Sequence, residues 1–135
     1  MAVKRLLSDL ERALSRLEEA HARALNSPEE DYPFFRDSAV QRFEFTVEIF
    51  WKSVKSFLRE FEGIDCRSPK SCIREFFSQG YIGENMAVKL LEMIDYRNLT
   101  SHTYKEDVAE AIFSRLPGYM EAVRYVLEVM REKVG

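Results

Sequence analysis

Glycine and proline are scarce in this chain, five and four among 135 residues. A turn-rich β-sandwich needs far more chain-reversing residues, so composition argues against it. No stretch approaches the roughly 18 consecutive apolar residues that cross a bilayer, and Met1 to Arg5 lead into charged sequence with no apolar leader segment. The expected location is cytoplasmic, with no membrane partner. Histidine and cysteine number two each. Cys66 and Cys72 are spaced too widely for a zinc knuckle, and His21 and His102 do not complete a ligand set. Two reduced thiols are therefore expected, and neither a metal nor a cofactor. Gly-rich phosphate loops, Cys-x-x-Cys, His-Glu-x-x-His and Gly-x-Ser-x-Gly are all absent. There is no basic surplus either: 20 Lys and Arg face 23 Asp and Glu, a net charge of −3. A protein that grips long duplex DNA through its phosphates needs a broad basic face. A local RNA site remains compatible with this charge.

What is present is helical patterning. Apolar residues make up 46% of the chain, enough for the core of one compact domain. From Lys4 to Leu25, Leu6, Leu10, Ala13, Leu14, Leu17 and Ala24 recur at helical steps, and Asn26-Ser27-Pro28 ends the run. A second helix begins between Pro33 and Asp37 and continues to Glu62. Its stripe is Val40, Phe43, Val47, Phe50, Trp51, Val54, Phe57, Leu58 and Phe61, and its aromatics read as core packing. Phe45 and Ile49 lie off the stripe, which predicts neighbours on two sides. About 27 residues make a rod of roughly 40 Å, a length that suits a bundle. Ser68-Pro69 starts a short helix through Gln79 that buries Cys72, Ile73, Phe76 and Phe77. A fourth runs from about Glu84 to Arg97 or slightly beyond, with Met86, Leu90, Leu91 and Ile94 inward. Thr103-Tyr104-Lys105-Glu106 fits a capping box, Thr103 as N-cap and Glu106 at N3. The last helix then runs toward Lys133, and Pro117-Gly118 predicts a kink or interruption. The expected fold is all-α, an up-and-down four-helix bundle with a short additional helix.

Chemistry concentrates in Tyr96 to Tyr104. Arg97 ends one helix and His102 precedes the next, so a break between them can bring guanidinium and imidazole together. Imidazole near its ordinary pKa can take a proton from an RNA 2′-hydroxyl or give one to the leaving oxygen. A guanidinium can brace the developing phosphate charge through two parallel hydrogen bonds. Such cleavage needs no metal. By spacing alone the signal is weak, because Arg and His five apart recur by accident, and Arg in a last helical turn also complements the helix dipole.

Several segments together resemble a known family. They are Asp37 to Thr46, Trp51-Lys52, Ser68-Pro69, Ile73-Arg74-Glu75 and Arg97-Asn98-Leu99-Thr100-Ser101-His102-Thr103-Tyr104. In this order they are similar to the nucleotidyltransferase substrate-binding proteins of the HEPN superfamily, including the HepT-like toxins. The resemblance implies one HEPN-like helical domain over residues 1–135, a homodimer, and a minimal nucleotidyltransferase antitoxin as partner. It implies a metal-independent endoribonuclease with Arg97, His102 and Asn98 as catalytic residues and RNA as substrate. Tyr104 would match the tyrosine to which the antitoxin adds AMP. At N1 of the last helix, as the capping box places it, an added phosphate would lie at the positive end of the helix dipole. Arg42, Glu44, Trp51 and Lys52 look family-typical, as pocket or partner contacts without an assigned role. Arg42 and Glu44 can also be read as pairing with neighbours on the bundle surface. Two readings of function stay open: a nuclease toxin, or a non-catalytic substrate-binding or docking subunit of a two-component nucleotidyltransferase.

Overall fold

The computed structural model describes residues 2–101 and 105–135. Among the described residues the chain forms five helices and no strand: α1 (Ala2–Leu25), α2 (Tyr32–Glu62), α3 (Pro69–Ser78), α4 (Glu84–Leu99) and α5 (Glu106–Val134). The architecture is the all-α bundle that the periodicity predicts, with α3 as the short additional helix. No described helix is long and apolar enough to cross a membrane.

Helix α2 is the axis of the bundle and touches each of the others. Pro33 falls in its first turn, where a missing N–H costs nothing. Gly63 closes it in the left-handed region at φ 67°, its N–H donating to the Leu58 carbonyl. Val40, Phe43, Val47, Phe50, Val54, Phe57 and Leu58 are all buried, while Trp51 and Phe61 are half-buried. Each fully buried side chain of this size contributes roughly 1.5–3 kcal/mol. Helix α1 packs on α2 and α5 through Val3, Leu7, Leu10, Leu14 and Leu17. Thr46 fastens that contact, its hydroxyl donating to the Arg42 carbonyl at 2.7 Å and reaching the Ala13 carbonyl at 3.3 Å.

Ser68 caps α3 as expected. Its hydroxyl accepts from the Ser71 N–H, and the Ser71 hydroxyl accepts from the Ser68 N–H. Phe76 of α3 meets Phe57 edge-on at 5.8 Å and stacks on Tyr81 at 4.9 Å, which seats the α3–α4 turn against α2.

Five details differ from the sequence reading. Cys66 and Cys72 are joined in a disulfide, with Cα atoms 5.2 Å apart, and are not free thiols. The turn capped by Ser68 folds the chain back, so that Cys66 meets the first turn of α3. Phe77 is 40% exposed, because it follows Phe76 by a 100° step that carries it off the buried face. Phe45 is 60% exposed, so the outer side of α2 is not covered there. Pro117 lies inside α5, which runs through it without interruption. Finally, α5 starts at Glu106 with Lys105 as N-cap and no side-chain cap. Glu106 is therefore the first helical residue and not N3, and the capping-box register fails. Thr103, its proposed cap, lies outside the described residues, as do His102 and Tyr104.

Candidate functional site

The last turn of α4 carries Arg97. Its side chain is 21% exposed and sits against α2. One terminal nitrogen, Nη1, donates to Ser101 Oγ at 2.6 Å, and Nη2 stands 3.8 Å from Glu48 Oε1, an ion-pair contact too long for a hydrogen bond. The Nε of Arg97 is buried with no acceptor among the described residues. An unsatisfied buried donor costs about 1–3 kcal/mol.

Glu48, which the sequence reading did not single out, organises this edge. It accepts from the Trp51 indole N–H at 3.1 Å and lies 3.7 Å from Lys52 Nζ. Trp51 and Lys52 thus act through Glu48 on the arginine's surroundings and do not line the cleft below. Glu44, one turn earlier, accepts from the Thr100 hydroxyl at 2.7 Å. That hydroxyl also lies 2.7 Å from the Arg97 carbonyl and shares its one proton between the two oxygens, so the end of α4 is pinned to the middle of α2. Asn98 is exposed, and its carbonyl accepts from the Ser101 N–H at 3.2 Å. The structure therefore brings Arg97, Glu44, Trp51 and Lys52 to one edge of α2. Arg42 faces the opposite side, toward α1, and has no ion pair among the described residues.

Between α2, the end of α4 and the start of α5 lies a cleft of about 350 Å³ lined by Asp37, Val40, Gln41, Glu44, Thr100, Lys105, Val108 and Ala109. Its floor is apolar and its rim mixes carboxylates, an amide and an ammonium, the composition of a site for a small polar molecule or a flat base.

One wall of the cleft is fixed by a buried arginine that the sequence reading missed. Arg36 is 5% exposed and meets Asp37 at 3.1 Å, Glu106 at 3.4 Å and Glu110 at 3.4 Å. It ties the first turns of α2 to those of α5. Tyr32 donates its phenol to Glu110, and burial, then that carboxylate, pushes its pKa up to about 12. The signal was in the register: position 36 lies four residues before Val40 on the buried stripe. Among the described residues no group of three or more His, Cys, Asp or Glu is placed to hold a metal ion. His21 is half-buried on α1 with its ring 5.0 Å from that of Phe113, which meets the Tyr32 ring edge-on at 5.5 Å.

Comparison with known proteins places the chain in a class. It matches the family described as nucleotidyltransferase substrate binding protein like over residues 5–132. The chain belongs to that family. A Thermus thermophilus protein of known crystal structure shares 43% identity, with a TM-score of 0.82 over 90% of this chain and 98% of that one. A Haemophilus influenzae relative, named as a probable ribonuclease HepT, is 30% identical over 70% of this chain. The aligned part spans 66% of that relative's length, just under two thirds. The tri-AMPylated HEPN toxin of Shewanella oneidensis, solved with its MNT antitoxin, superposes with a TM-score of 0.73 over 96% of each chain. At 12% identity that likeness shows the shared fold alone.

Proposed function

We propose that this protein is a HepT-like toxin, a metal-independent endoribonuclease paired with a minimal nucleotidyltransferase that neutralises it by adding AMP to Tyr104. The observation that carries the reading is Arg97. It is held at the end of α4 with Nη1 bonded to Ser101, the covalent neighbour of His102, and it lies at the same corner as a cleft sized for a base. In this reading a base seats in the cleft and Arg97 braces the scissile phosphate. His102 takes the proton of the 2′-hydroxyl as that oxygen attacks phosphorus, and the 5′-oxygen leaves carrying a proton. Asn98 would contact the phosphate or sugar from the exposed side of the same turn.

One arginine and one histidine make a thin set for both proton removal and proton donation, so the active form is a homodimer whose partner copy supplies the second histidine. Leu99, 47% exposed at the end of α4, suits such a contact. Light scattering that gives only the 15.9 kDa monomer at micromolar concentration would remove this part of the proposal. The second reading, a substrate-binding or docking subunit for the nucleotidyltransferase, is favoured by the cleft itself, which needs no catalysis to bind a nucleotide.

The deciding experiment is incubation of purified protein with single-stranded RNA in EDTA. Cleavage lost in both Arg97→Ala and His102→Ala supports the nuclease. An undiminished rate in either folded variant sinks the assignment. No cleavage by the wild type, combined with saturable nucleotide binding, points to the second reading.

A further inference from the structure

Arg42 stands where two shallow clefts between α1 and α2 meet. One is bordered by Asp9, Arg12, Arg16, Arg42 and Phe45, the other by Arg16, Glu19, Arg23, Arg42 and Phe35. Arg12 is paired with Asp9, and Arg23 meets Glu19 at 3.3 Å. Arg16 and Arg42, which border both clefts, have no ion pair among the described residues. Arg42 is nonetheless half-buried, a position where a cation ordinarily finds an anion. Phe45 stands 60% exposed beside it, in a chain whose net charge is −3. Two unpaired guanidiniums beside an accessible aromatic ring, on one face of an acidic protein, form a pattern that can hold a single nucleic-acid strand. The forks take phosphates and the ring takes a base, without a sequence code.

We infer that the α1/α2 face is the track for single-stranded RNA leading to the cleavage site, with Arg16 and Arg42 as phosphate contacts and Phe45 as a stacking platform. The inference rests on the nuclease reading and extends it to how substrate is held. The path is short. Gln41, the residue before Arg42, lines the cleft beside Thr100, so the track and that cleft flank one helix, a width of roughly 10–12 Å with side chains. An acidic protein partner is disfavoured, because Arg12 and Arg23 are already neutralised internally, which leaves two forks and a ring in place of a broad basic patch.

The test uses a fluorescent single-stranded oligonucleotide of mixed sequence with 2′-O-methyl sugars, which binds but offers no 2′-hydroxyl for cleavage. Anisotropy is read across a salt series with the full chain, and melting curves confirm that each variant folds. Arg16→Ala/Arg42→Ala should bind at least tenfold more weakly. Its log K against log salt slope should be shallower by about 1.4, since each lost single-strand phosphate contact removes roughly 0.7. Phe45→Ala should weaken binding several-fold with the slope unchanged. If the arginine double variant keeps wild-type affinity and slope while the wild type cleaves ordinary RNA, the track is wrong and the nuclease stands. If the wild type binds through this face but never cleaves, the track stands and the nuclease reading falls. A double variant that keeps RNA binding but loses the nucleotidyltransferase overturns the inference and makes the face a protein-docking surface.

Discussion

The Thr100 hydroxyl donates to Glu44 Oε2 at 2.7 Å, across from the end of α4 to the middle of α2. The same hydroxyl caps the Arg97 carbonyl, so Glu44 fixes the turn from which Arg97 projects without touching Arg97 itself. Glu44→Ala should cost about 1 kcal/mol of stability, the ordinary worth of such a bond. Its larger effect should be on cleavage: kcat for RNA falls about tenfold, and KM rises as well, because Glu44 also lines the cleft in which the base would seat. Glu44→Gln, which can still accept the hydroxyl proton, should recover most of the rate. A Gln variant as slow as the Ala variant would mean that the carboxylate charge, and not the bond, matters.

Arg36 is buried, but the carboxylates around it are 44% to 74% exposed and can hydrate when it is removed. Removing one partner of a buried ion pair is ordinarily destabilising, and hydration of the exposed carboxylates reduces the cost here. Arg36→Met should therefore lower the unfolding free energy by up to about 3 kcal/mol. It should also free the first turn of α5, read as faster amide hydrogen exchange over residues 106–110, and slow RNA cleavage. Slow exchange retained in that turn would show that α5 needs no anchor from α2.

The contrast between Arg36 and the leucines of α1 shows which parts of the fold were legible in the sequence. Helical periodicity reports apolar faces directly, so α1, α2 and the Ser68-Pro69 start of α3 were read within a few residues. A buried arginine breaks the binary pattern although it occupies a core register position, and besides its neighbour Asp37 the carboxylates that make that burial tolerable lie 70 and 74 residues away in sequence. Glu48 was hidden for a similar reason, since its partners Trp51 and Lys52 are local but Arg97 comes from another helix. The capping-box pattern at Thr103 misled because Glu106 and Asp107 already complement the start of α5 as first-turn acids. Cysteine arithmetic looked for metal ligands and passed over a bond that the turn at Ser68 makes possible.

That disulfide staples the α2–α3 connection to the first turn of α3. Closing a loop of this length removes unfolded-state entropy worth about 2 kcal/mol. Cys66→Ser/Cys72→Ser, or reduction of the wild type, should lower Tm by several degrees, with melting of α3 from α2 as the earliest event. Identical melting curves with and without reductant would show that the bond contributes nothing to stability.

His21 contributes to the loss of stability on the acid side. Burial against Phe113 holds its pKa below the ordinary 6.5, so the unfolded chain binds the proton more readily than the folded one. The sign follows: above about pH 6.5 both states are neutral at this residue and the fold is unaffected. As pH falls through 6.5 toward the lower folded value, stability is progressively lost. His21→Gln should flatten the urea midpoint between pH 7 and pH 5 relative to wild type. An unchanged slope in the variant would assign that acid sensitivity to other groups.

Tyr104 is two residues ahead of Glu106, the first residue of α5, and not at N1 as the capping box had it. The shift changes what AMP addition should do. A phosphate at N1 would gain about 0.3–1 kcal/mol from the helix dipole, but the first turn of α5 already holds Glu106 and Asp107, whose negative charge opposes a further anion. With the cognate nucleotidyltransferase, ATP and Mg²⁺, the phenol oxygen should attack the α-phosphorus, release pyrophosphate and its own proton, and take up one or more AMP units. The adduct should leave Tm unchanged within error while RNA cleavage falls in proportion to the modified fraction, because the added charge stands two residues from His102. Tyr104→Phe should escape modification, cleave RNA with the partner present, and arrest growth when both are expressed together. Mass spectrometry that maps AMP to another residue, or a Tyr104→Phe protein still silenced covalently, would end this account of neutralisation and leave the cleft's nucleotide binding as the function to pursue.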